Sequence, residues 1–372
     1  MNKIITRRHY KLIGSDYSGQ EARITAACAK CPAMLNAYKE GKDLYVVIAQ
    51  QINNNKYEDN LEFYPEGTIL EIDGQKVVCG KETHVNVEGK ARRSQAKQVL
   101  LALTYGMGVK TMSERIGKSI EESQKIMDNF FKAFPEVEKW IEDTHKKVKK
   151  TGYVEDFIGR RRRLDDIFLK PYEIISKNEN LNFLLHCDDK QSVSKELYNK
   201  YMNACKKIKT RSDYNELKLL AEKDNLILIA NTDKIAQAER QSVNAIVQGG
   251  AATLTKLAMI DIYNDEILNN CEFKILLQVH DEIIGECPEE YAEIVTERLP
   301  QVMMNAAKKY IETPMVCNPY CVDYWYEDEL KASILKDYKK LKEKYADNEL
   351  FEKLKDLHSE MTENELKNVI SL

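Results

Sequence analysis

The chain has no apolar run close to the roughly 18 residues that a membrane-spanning helix needs. Its first residues, Met1 to Arg8, also lack the long apolar stretch of a secretory signal. Cysteines number nine, an odd and scattered set, which favours reduced thiols over a disulfide framework. We therefore expect a cytoplasmic protein with no membrane partner.

Strong net charge is absent too. The formal charge is −4 over 372 residues, with 31% charged and 43% hydrophobic side chains. These values indicate a globular chain with two or three lobes and exclude a uniformly basic nucleic-acid binder. Basic clusters at 146–150 and 160–163 could still follow a phosphate backbone. An ordinary solvated charge run is the alternative, and for the Lys cluster at 146–150 it is an equally good explanation.

The order of elements predicts an α+β protein. A strand over 10–17 precedes helices at 20–29 and 33–53, and another helix is expected from Lys90 to Tyr105, with Gly106 and Gly108 as stops. A capping box at 119–122 opens a helix, and a second helix covers 136–150. A long helix is predicted over 233–265, followed by a hairpin around 280–281 and a helix over 288–310. Residues 61–90 suggest hairpins or an irregular insertion, and 153–168 an extended stretch. Residues 169–231 suggest an insertion that is helical in pieces.

Two aspartates, far apart in sequence, each follow or end a β-prone run. Asp16 ends the first run, and Asp281 lies in the turn after Val279. Mg²⁺ prefers carboxylate oxygens and needs few protein ligands when phosphates are also bound. Two such ions can clamp the attacking and leaving oxygens of a nucleotidyl transfer. A single Asp at a strand end is more often a turn residue.

His280-Asp281 also suggests a metal phosphohydrolase, but only six histidines exist to complete that site.

One helix side combines Arg93, Lys97, Leu101 and Tyr105 at successive i+4 steps. Arg and Lys one turn apart can bind a triphosphate, and Lys97 could protonate the leaving pyrophosphate. The alternative is an amphipathic helix with a solvated basic edge.

The long helix repeats this spacing with Arg240, Asn244 and Gln248. Long polar side chains of this kind can reach minor-groove acceptors, which all base pairs present nearly alike. An ordinary polar stripe is the alternative.

With these residues in view, the chain resembles the family A DNA polymerases, which are DNA polymerase I-like. Residues 16–23 resemble motif A, 93–106 motif B and 278–282 motif C, and 159–164 and 239–249 resemble two secondary motifs in the same order. The resemblance covers about residues 8–330, and the insertions and the tail are most similar to those of bacteriophage members.

The resemblance implies a role for each matching residue. Asp16 and Asp281 would hold two Mg²⁺ ions, with Glu282 beside them and His280 near the primer terminus. Lys97 would be the general acid and Arg93 a second triphosphate ligand.

Further implied roles concern the nucleotide and the DNA. Glu21 would be the steric gate that selects deoxynucleotides, and Tyr105 would stack near the templating base. The nucleotide site would also include Leu101, where the family usually has an aromatic residue, and Tyr45, where a phosphate-binding His is frequent. The implied contacts with primer–template DNA are Arg240, Asn244, Gln248 and His280.

The implied fold is a polymerase right hand. An antiparallel palm would comprise 1–25 and 236–330, mostly helical fingers with insertions 26–235, and a charged helical tail 331–372. No part of the chain matches a thumb, so we expect a carboxy-terminal palm and fingers portion.

The expected function is template-directed DNA synthesis from dNTPs in a bacterial or phage-infected cell. One alternative is an incomplete fragment or split-polymerase half that binds DNA and dNTP and needs an upstream partner chain or processivity factor. A single-subunit RNA polymerase is another, against which Glu21 argues because a bulky gate excludes ribonucleotides.

Overall fold

The structure is a computed structural model that describes residues 9–72, 75–176, 193–325, 327–342, 347–358 and 363–370. It forms two compact units: Met1–Gln20 with Ala251–Leu372, and Glu21–Gly250. Predictions for residues 1–8 and for the centre of the 169–231 insertion lie outside the described residues. We call the two parts the first and second unit.

The strands of the described residues, numbered in chain order, are β1 (Tyr10–Tyr17), β2 (Ile69–Ile72), β3 (Gln75–Val78), β4 (Tyr153–Glu155), β5 (Arg161–Arg163), β6 (Tyr172–Ser176), β7 (Leu226–Ala230), β8 (Lys274–Val279), β9 (Glu282–Pro288) and β10 (Cys317–Val322).

The helices are α1 (Gln20–Ala29), α2 (Pro32–Lys39), α3 (Leu44–Asn53), α4 (Val87–Thr104), α5 (Val109–Ile116), α6 (Ile120–Ala133), α7 (Pro135–Thr151), α8 (Lys195–Cys205), α9 (Arg211–Lys223), α10 (Thr232–Tyr263), α11 (Glu266–Asn270), α12 (Ala292–Lys308), α13 (Glu327–Lys342), α14 (Asp347–Leu357) and α15 (Glu363–Ile370). Among these helices, none has both the length and the apolar character that crossing a membrane requires.

The first unit is built on a four-stranded antiparallel sheet in the order β10-β1-β9-β8. Helix α12 packs on one face of this sheet, against β1 and β10. Tyr17, which is 1% exposed, donates a hydrogen bond from its hydroxyl to the carbonyl oxygen of Met303 in α12, over 2.7 Å. The side chains of Ile13, Ser15 and Tyr17 point to this face, and the side chain of Asp16 therefore lies on the opposite face. The expected antiparallel sheet is confirmed.

The second unit has a helical core formed by α1 to α7. Its centre includes Ile48, Leu100 and Phe130, which are almost completely buried. Helix α6 starts with the predicted capping box, in which Ser119 and Glu122 each accept a backbone N–H of the other. This reciprocal pair satisfies two N–H groups that the first helical turn leaves without a partner.

The described part of the 169–231 insertion is a small α/β layer within the second unit. Strands β6 and β7 pair antiparallel, and α8 and α9 cover them. Their side chains form a separate core around Tyr201, Ala221 and Leu228. The prediction of an insertion that is helical in pieces therefore missed its two strands, because β6 pairs with a strand about fifty residues later and such pairing has no local signal.

Two further predictions need correction at their ends. Residues 153–168 were expected to be extended, but Asp165–Phe168 form a 3₁₀ turn that buries Ile167. The helix predicted over 288–310 begins only at Ala292, because Pro288 ends β9 and a 3₁₀ turn over Glu289–Tyr291 follows it.

We predict that Phe130→Ala lowers the free energy of unfolding of the second unit by about 3–5 kcal/mol, because the ring is 0% exposed and its loss leaves a cavity. Phe130 packs edge-on against Phe131 and tilted against Phe134. Trp140 packs against the same core, so its fluorescence in a Trp325→Phe background reports urea unfolding of this unit.

Ile120→Ala is the matched control, because this side chain lies on the same helix and is 53% exposed. Its effect should stay within about 0.5 kcal/mol. Equal shifts of the two midpoints would contradict the assignment of Phe130 to the core.

Candidate functional site

Asp16 is the penultimate residue of β1, one of the two inner strands of the sheet. Its backbone pairs with Glu282 of β9 on one side and with Asn318 of β10 on the other. Ile13 and Tyr17, on the opposite face of the strand, are buried, so their burial sets the strand register and with it the face on which Asp16 lies.

Asp281 lies in the two-residue turn between β8 and β9, as the sequence predicted. His280 takes the left-handed conformation there, with φ of 53°, and Gln278 donates its side-chain amide to the carbonyl oxygen of His280 over 2.6 Å. The backbone N–H of Tyr17 donates to the carbonyl oxygen of Asp281 over 3.3 Å. This contact joins the end of β1 to the turn, so the two predicted aspartates come together.

Burial and a neighbouring charge both act on the Asp16 carboxyl group. Burial raises the pKa of Asp16 above its ordinary value; a hydrogen bond with Asn318 opposes the rise, and the charge of Asp281 adds to it. A nearby divalent ion would relieve this repulsion. In the described residues no cluster of three or more His, Cys, Asp or Glu side chains is placed to hold one ion. Two carboxylates alone fit Mg²⁺, which keeps waters and takes substrate phosphates as its other ligands.

Glu282 starts β9 beside Asp281 and is half-buried. The hydroxyl of Tyr320 in β10 donates to its Oε1 over 2.6 Å. Sequence reasoning placed Glu282 at this edge but missed Tyr320 and Asn318, because β10 has no motif and reaches the site only through its pairing with β1.

In the second unit, helix α4 carries Arg93, Lys97 and Leu101, close to the predicted span. Asn86 caps its start by accepting the N–H of Gly89, and Tyr105 follows its end. Gly106 then has a φ of +66°, as a helix stop requires.

Arg93 has two partners in the free protein. Its Nε donates to Asp43 Oδ2 over 2.7 Å, and its guanidinium carbon lies 5.5 Å from the ring centre of Tyr45. Lys97 is exposed, and its Nζ lies 5.9 Å from the same ring. Burial, with a smaller effect of Asp43, raises the pKa of Tyr45 to about 12. The structure thus brings Tyr45 together with both predicted phosphate ligands.

Tyr105 connects two predicted site residues. Its hydroxyl donates to Glu21 Oε2 over 2.7 Å and accepts from the Gln248 amide over 3.0 Å. Burial first, and then the bond with Glu21, raise the pKa of Tyr105 to about 12. The hydroxyl therefore stays protonated and holds the Glu21 carboxylate in place at neutral pH.

The other residues of the polar stripe lie on α10. Arg240 packs behind the Tyr105 turn, since a Cβ on Gly106 would lie only 2.7 Å from Arg240 Cγ. Asn244 has a buried Oδ1 with no hydrogen-bond partner among the described residues. Arg162 and Arg163, in the basic cluster of β5, are exposed.

Asp43 is a residue that sequence reasoning missed. Its Oδ1 caps α3 by accepting the N–H of Tyr45 and Val46, while Oδ2 takes the bond from Arg93. An Asp directly before an apolar helical run is a recognisable N-cap signal, but its second bond, to a residue fifty positions later, has no such signal.

Comparisons with known proteins show to which family this chain belongs. The family model for DNA polymerase family A matches residues 75–184 and 191–327, and the chain belongs to this family. The match includes Arg93, Lys97 and Asp281, whereas Asp16 and Glu21 precede it.

Curated relatives include DNA polymerase I of Streptococcus pneumoniae, 24% identical over 316 residues, which are 85% of this chain and 26% of that protein. DNA polymerase I of Pseudomonas aeruginosa is 26% identical over 318 residues, 86% of this chain and 25% of that protein. The chain thus spans about a quarter of the length of these relatives.

A solved structure with a similar fold is the POL domain of Pol1 from M. smegmatis, in complex with DNA primer-template and dNTP. It aligns with a TM-score of 0.58 and 20% identity, over 86% of this chain and 41% of that one. The likeness confirms the predicted fold class, a palm with an antiparallel sheet and mostly helical fingers. The resemblance to bacteriophage members stays a prediction.

The double role of Asp43 leads to a prediction about stability. Asp43→Asn keeps an oxygen that can cap α3 but loses the charge facing Arg93, a half-exposed pair worth up to about 1 kcal/mol. Asp43→Ala loses the cap as well and should cost about 1 kcal/mol more. Urea unfolding followed by Trp140 fluorescence measures the difference; equal costs would contradict the capping role.

Proposed function

We propose that this chain carries out template-directed DNA synthesis, adding dNTPs to a primer 3′-hydroxyl with release of pyrophosphate. One observation carries the proposal. Asp16, near the end of β1, and Asp281, in the turn between β8 and β9, are brought together by the hydrogen bond from the Tyr17 N–H to the Asp281 carbonyl oxygen. Membership in DNA polymerase family A supports it.

Asp16 and Asp281 are the proposed ligands of two Mg²⁺ ions. When bound, such ions would neutralise phosphate charge and lower the pKa of the attacking hydroxyl. Glu282 is proposed to act beside them as a further catalytic carboxylate. The raised pKa of Asp16 and the lack of a third ligand in the described residues support ions shared with substrate phosphates.

The proposed nucleotide ligands lie in the second unit. Arg93 and Lys97 would bind the triphosphate, and Lys97 would donate a proton to the leaving pyrophosphate. Tyr45, beside both cations, would complete the phosphate site with its hydroxyl.

Sugar and base selection is assigned to three further residues. Glu21, fixed by the Tyr105 hydroxyl, would block a ribose 2′-hydroxyl. Tyr105 would stack near the templating base, and Leu101 would pack against the incoming sugar.

The DNA contacts are proposed for Arg240, Asn244 and Gln248 on α10 and for His280 near the primer terminus. The boundaries of palm (1–25 and 236–330), fingers (26–235) and tail (331–372) belong to the same proposal. So does a place of action in the cytoplasm of a bacterial or phage-infected cell.

A second candidate is a polypeptide that binds primer–template and dNTP but extends a primer only with an upstream polymerase segment or a processivity factor from another chain. The span of about a quarter of its relatives favours it. Primer extension by the purified chain alone supports the first candidate; extension that needs an added chain supports the second.

We expect Asp16→Asn and Asp281→Asn each to lower primer extension about 100-fold or more, since each removes a charge that holds an ion. Gel-based extension of a labelled primer with Mg²⁺ and dNTPs measures the rate. Asp356→Asn, an exposed carboxylate of α14, is the matched control and should keep wild-type activity. Wild-type rates in both site variants, with unchanged folding, would eliminate the proposed metal ligands.

Two variants of Lys97 distinguish the contribution of its charge from that of proton transfer. Lys97→Arg keeps the cation but is a poor acid, so we expect a kcat at least about 100-fold lower with little change in the KM for dNTP. Lys97→Met should raise this KM as well. Lys125→Met, on the exposed side of α6, is the control, and a wild-type kcat in Lys97→Arg would rule out the acid role.

A further inference from the structure

Tyr320 reaches across β1, the inner strand that pairs with β10. Its Cα partner in β1 is Gly14, and its ring lies so close to Gly14 that a Cβ there would overlap the ring carbon Cζ and the hydroxyl oxygen. Only glycine leaves this space, and the side chain thereby passes over β1 to the first residue of β9. There its hydroxyl meets Glu282 Oε1 at 2.6 Å.

The position of Glu282 makes this contact significant. It is the Cα partner of Asp16 and the sequence neighbour of Asp281, so it could join the two aspartates as a third ligand. Yet the described residues contain no group of three carboxylates placed around one ion. A hydrogen bond of this length from a hydroxyl to a carboxylate is of the strong, charge-assisted kind, and it gives Glu282 a partner other than a metal.

We propose that Tyr320 is a positioning residue that holds Glu282 out of the metal-coordinating set, so that Asp16 and Asp281 alone bind the ions. The inference rests on the proposed function of these aspartates.

The physical reason is a competition for coordination positions. A divalent ion binds more tightly with each added carboxylate, but every protein ligand also occupies a position that a water or a substrate phosphate could take. Holding Glu282 aside therefore weakens resting ion binding and keeps positions open for phosphate oxygens. Tyr320 and Gly14 together determine this choice, because the ring reaches Glu282 only over a residue without a side chain.

The test measures Mn²⁺ binding to the purified chain, with free Mn²⁺ detected by electron paramagnetic resonance. Tyr320→Phe keeps the ring and removes the donor, so Glu282 becomes free to coordinate. We expect Mn²⁺ to bind about 3- to 10-fold more tightly in this variant. In Tyr320→Phe with Glu282→Gln, affinity should return to the wild-type value. Tyr263→Phe, which removes a hydroxyl at a residue 77% exposed, should change nothing.

Gly14→Ala gives a second, independent variant, because its methyl group displaces the Tyr320 ring. It should tighten Mn²⁺ binding in the same way and add nothing to Tyr320→Phe. Unchanged or weaker Mn²⁺ affinity in Tyr320→Phe overturns the inference, as does tightening that persists with Glu282→Gln. Wild-type binding that does not depend on Asp16, tested with Asp16→Asn, overturns it as well.

The binding assay separates this inference from the proposed function. If the predicted Mn²⁺ pattern appears in a chain that extends no primer, only the polymerase activity fails. If the wild-type chain extends primers and Tyr320→Phe leaves Mn²⁺ affinity unchanged, only the role of Tyr320 fails. Where both hold, Tyr320→Phe should also extend primers more slowly than Tyr263→Phe.

Discussion

The position of Asp16 depends on one constraint, the antiparallel pairing of β1 with β9 on one side and with β10 on the other. It places Asp16 opposite both Glu282 and Asn318. A slip of one residue would turn Asp16 toward α12 and Tyr17 away from it. The bond from the Tyr17 hydroxyl to Met303 and the burial of Ile13 oppose that slip. Packing of the buried face against α12 therefore determines which side chains lie on the opposite face of the sheet.

In the second unit, the Arg93 guanidinium has one carboxylate partner that a phosphate could replace. Arg93 shares a half-exposed ion pair with Asp43, and such pairs are worth at most about 1 kcal/mol. A phosphate group with several charges and a bidentate geometry would compete well against one carboxylate. Glu21 is held more firmly, because Tyr105 donates to it and Gln248 in turn donates to Tyr105.

Much of the local structure could be predicted because its causes are local. The capping box at Ser119, the stop at Gly106 and the long helix that starts at Thr232 all follow from propensities and caps within a few residues. The pairing of β6 with β7 could not, because two short strands separated by helices have no periodic signal of their own.

The same division applies to the candidate site. Asp16, Asp281, Arg93 and Lys97 were predicted because their residue types and spacing already suit metals and phosphates. Asp43, Asn318 and Tyr320 were missed, since each has an ordinary local setting and acts only through a partner distant in sequence.

The sequence by itself determined the residue types of the candidate site: an aspartate near a strand end, another in a hairpin turn, a helix with a basic side and a polar stripe. Only the tertiary structure decided how these groups are held, with Asp16 beside the Asp281 turn, Arg93 on Asp43, and Glu282 on the hydroxyl of Tyr320. The reason is physical: a side chain's type is local, whereas its partners depend on strand register and on close approaches such as that of Tyr320 over Gly14.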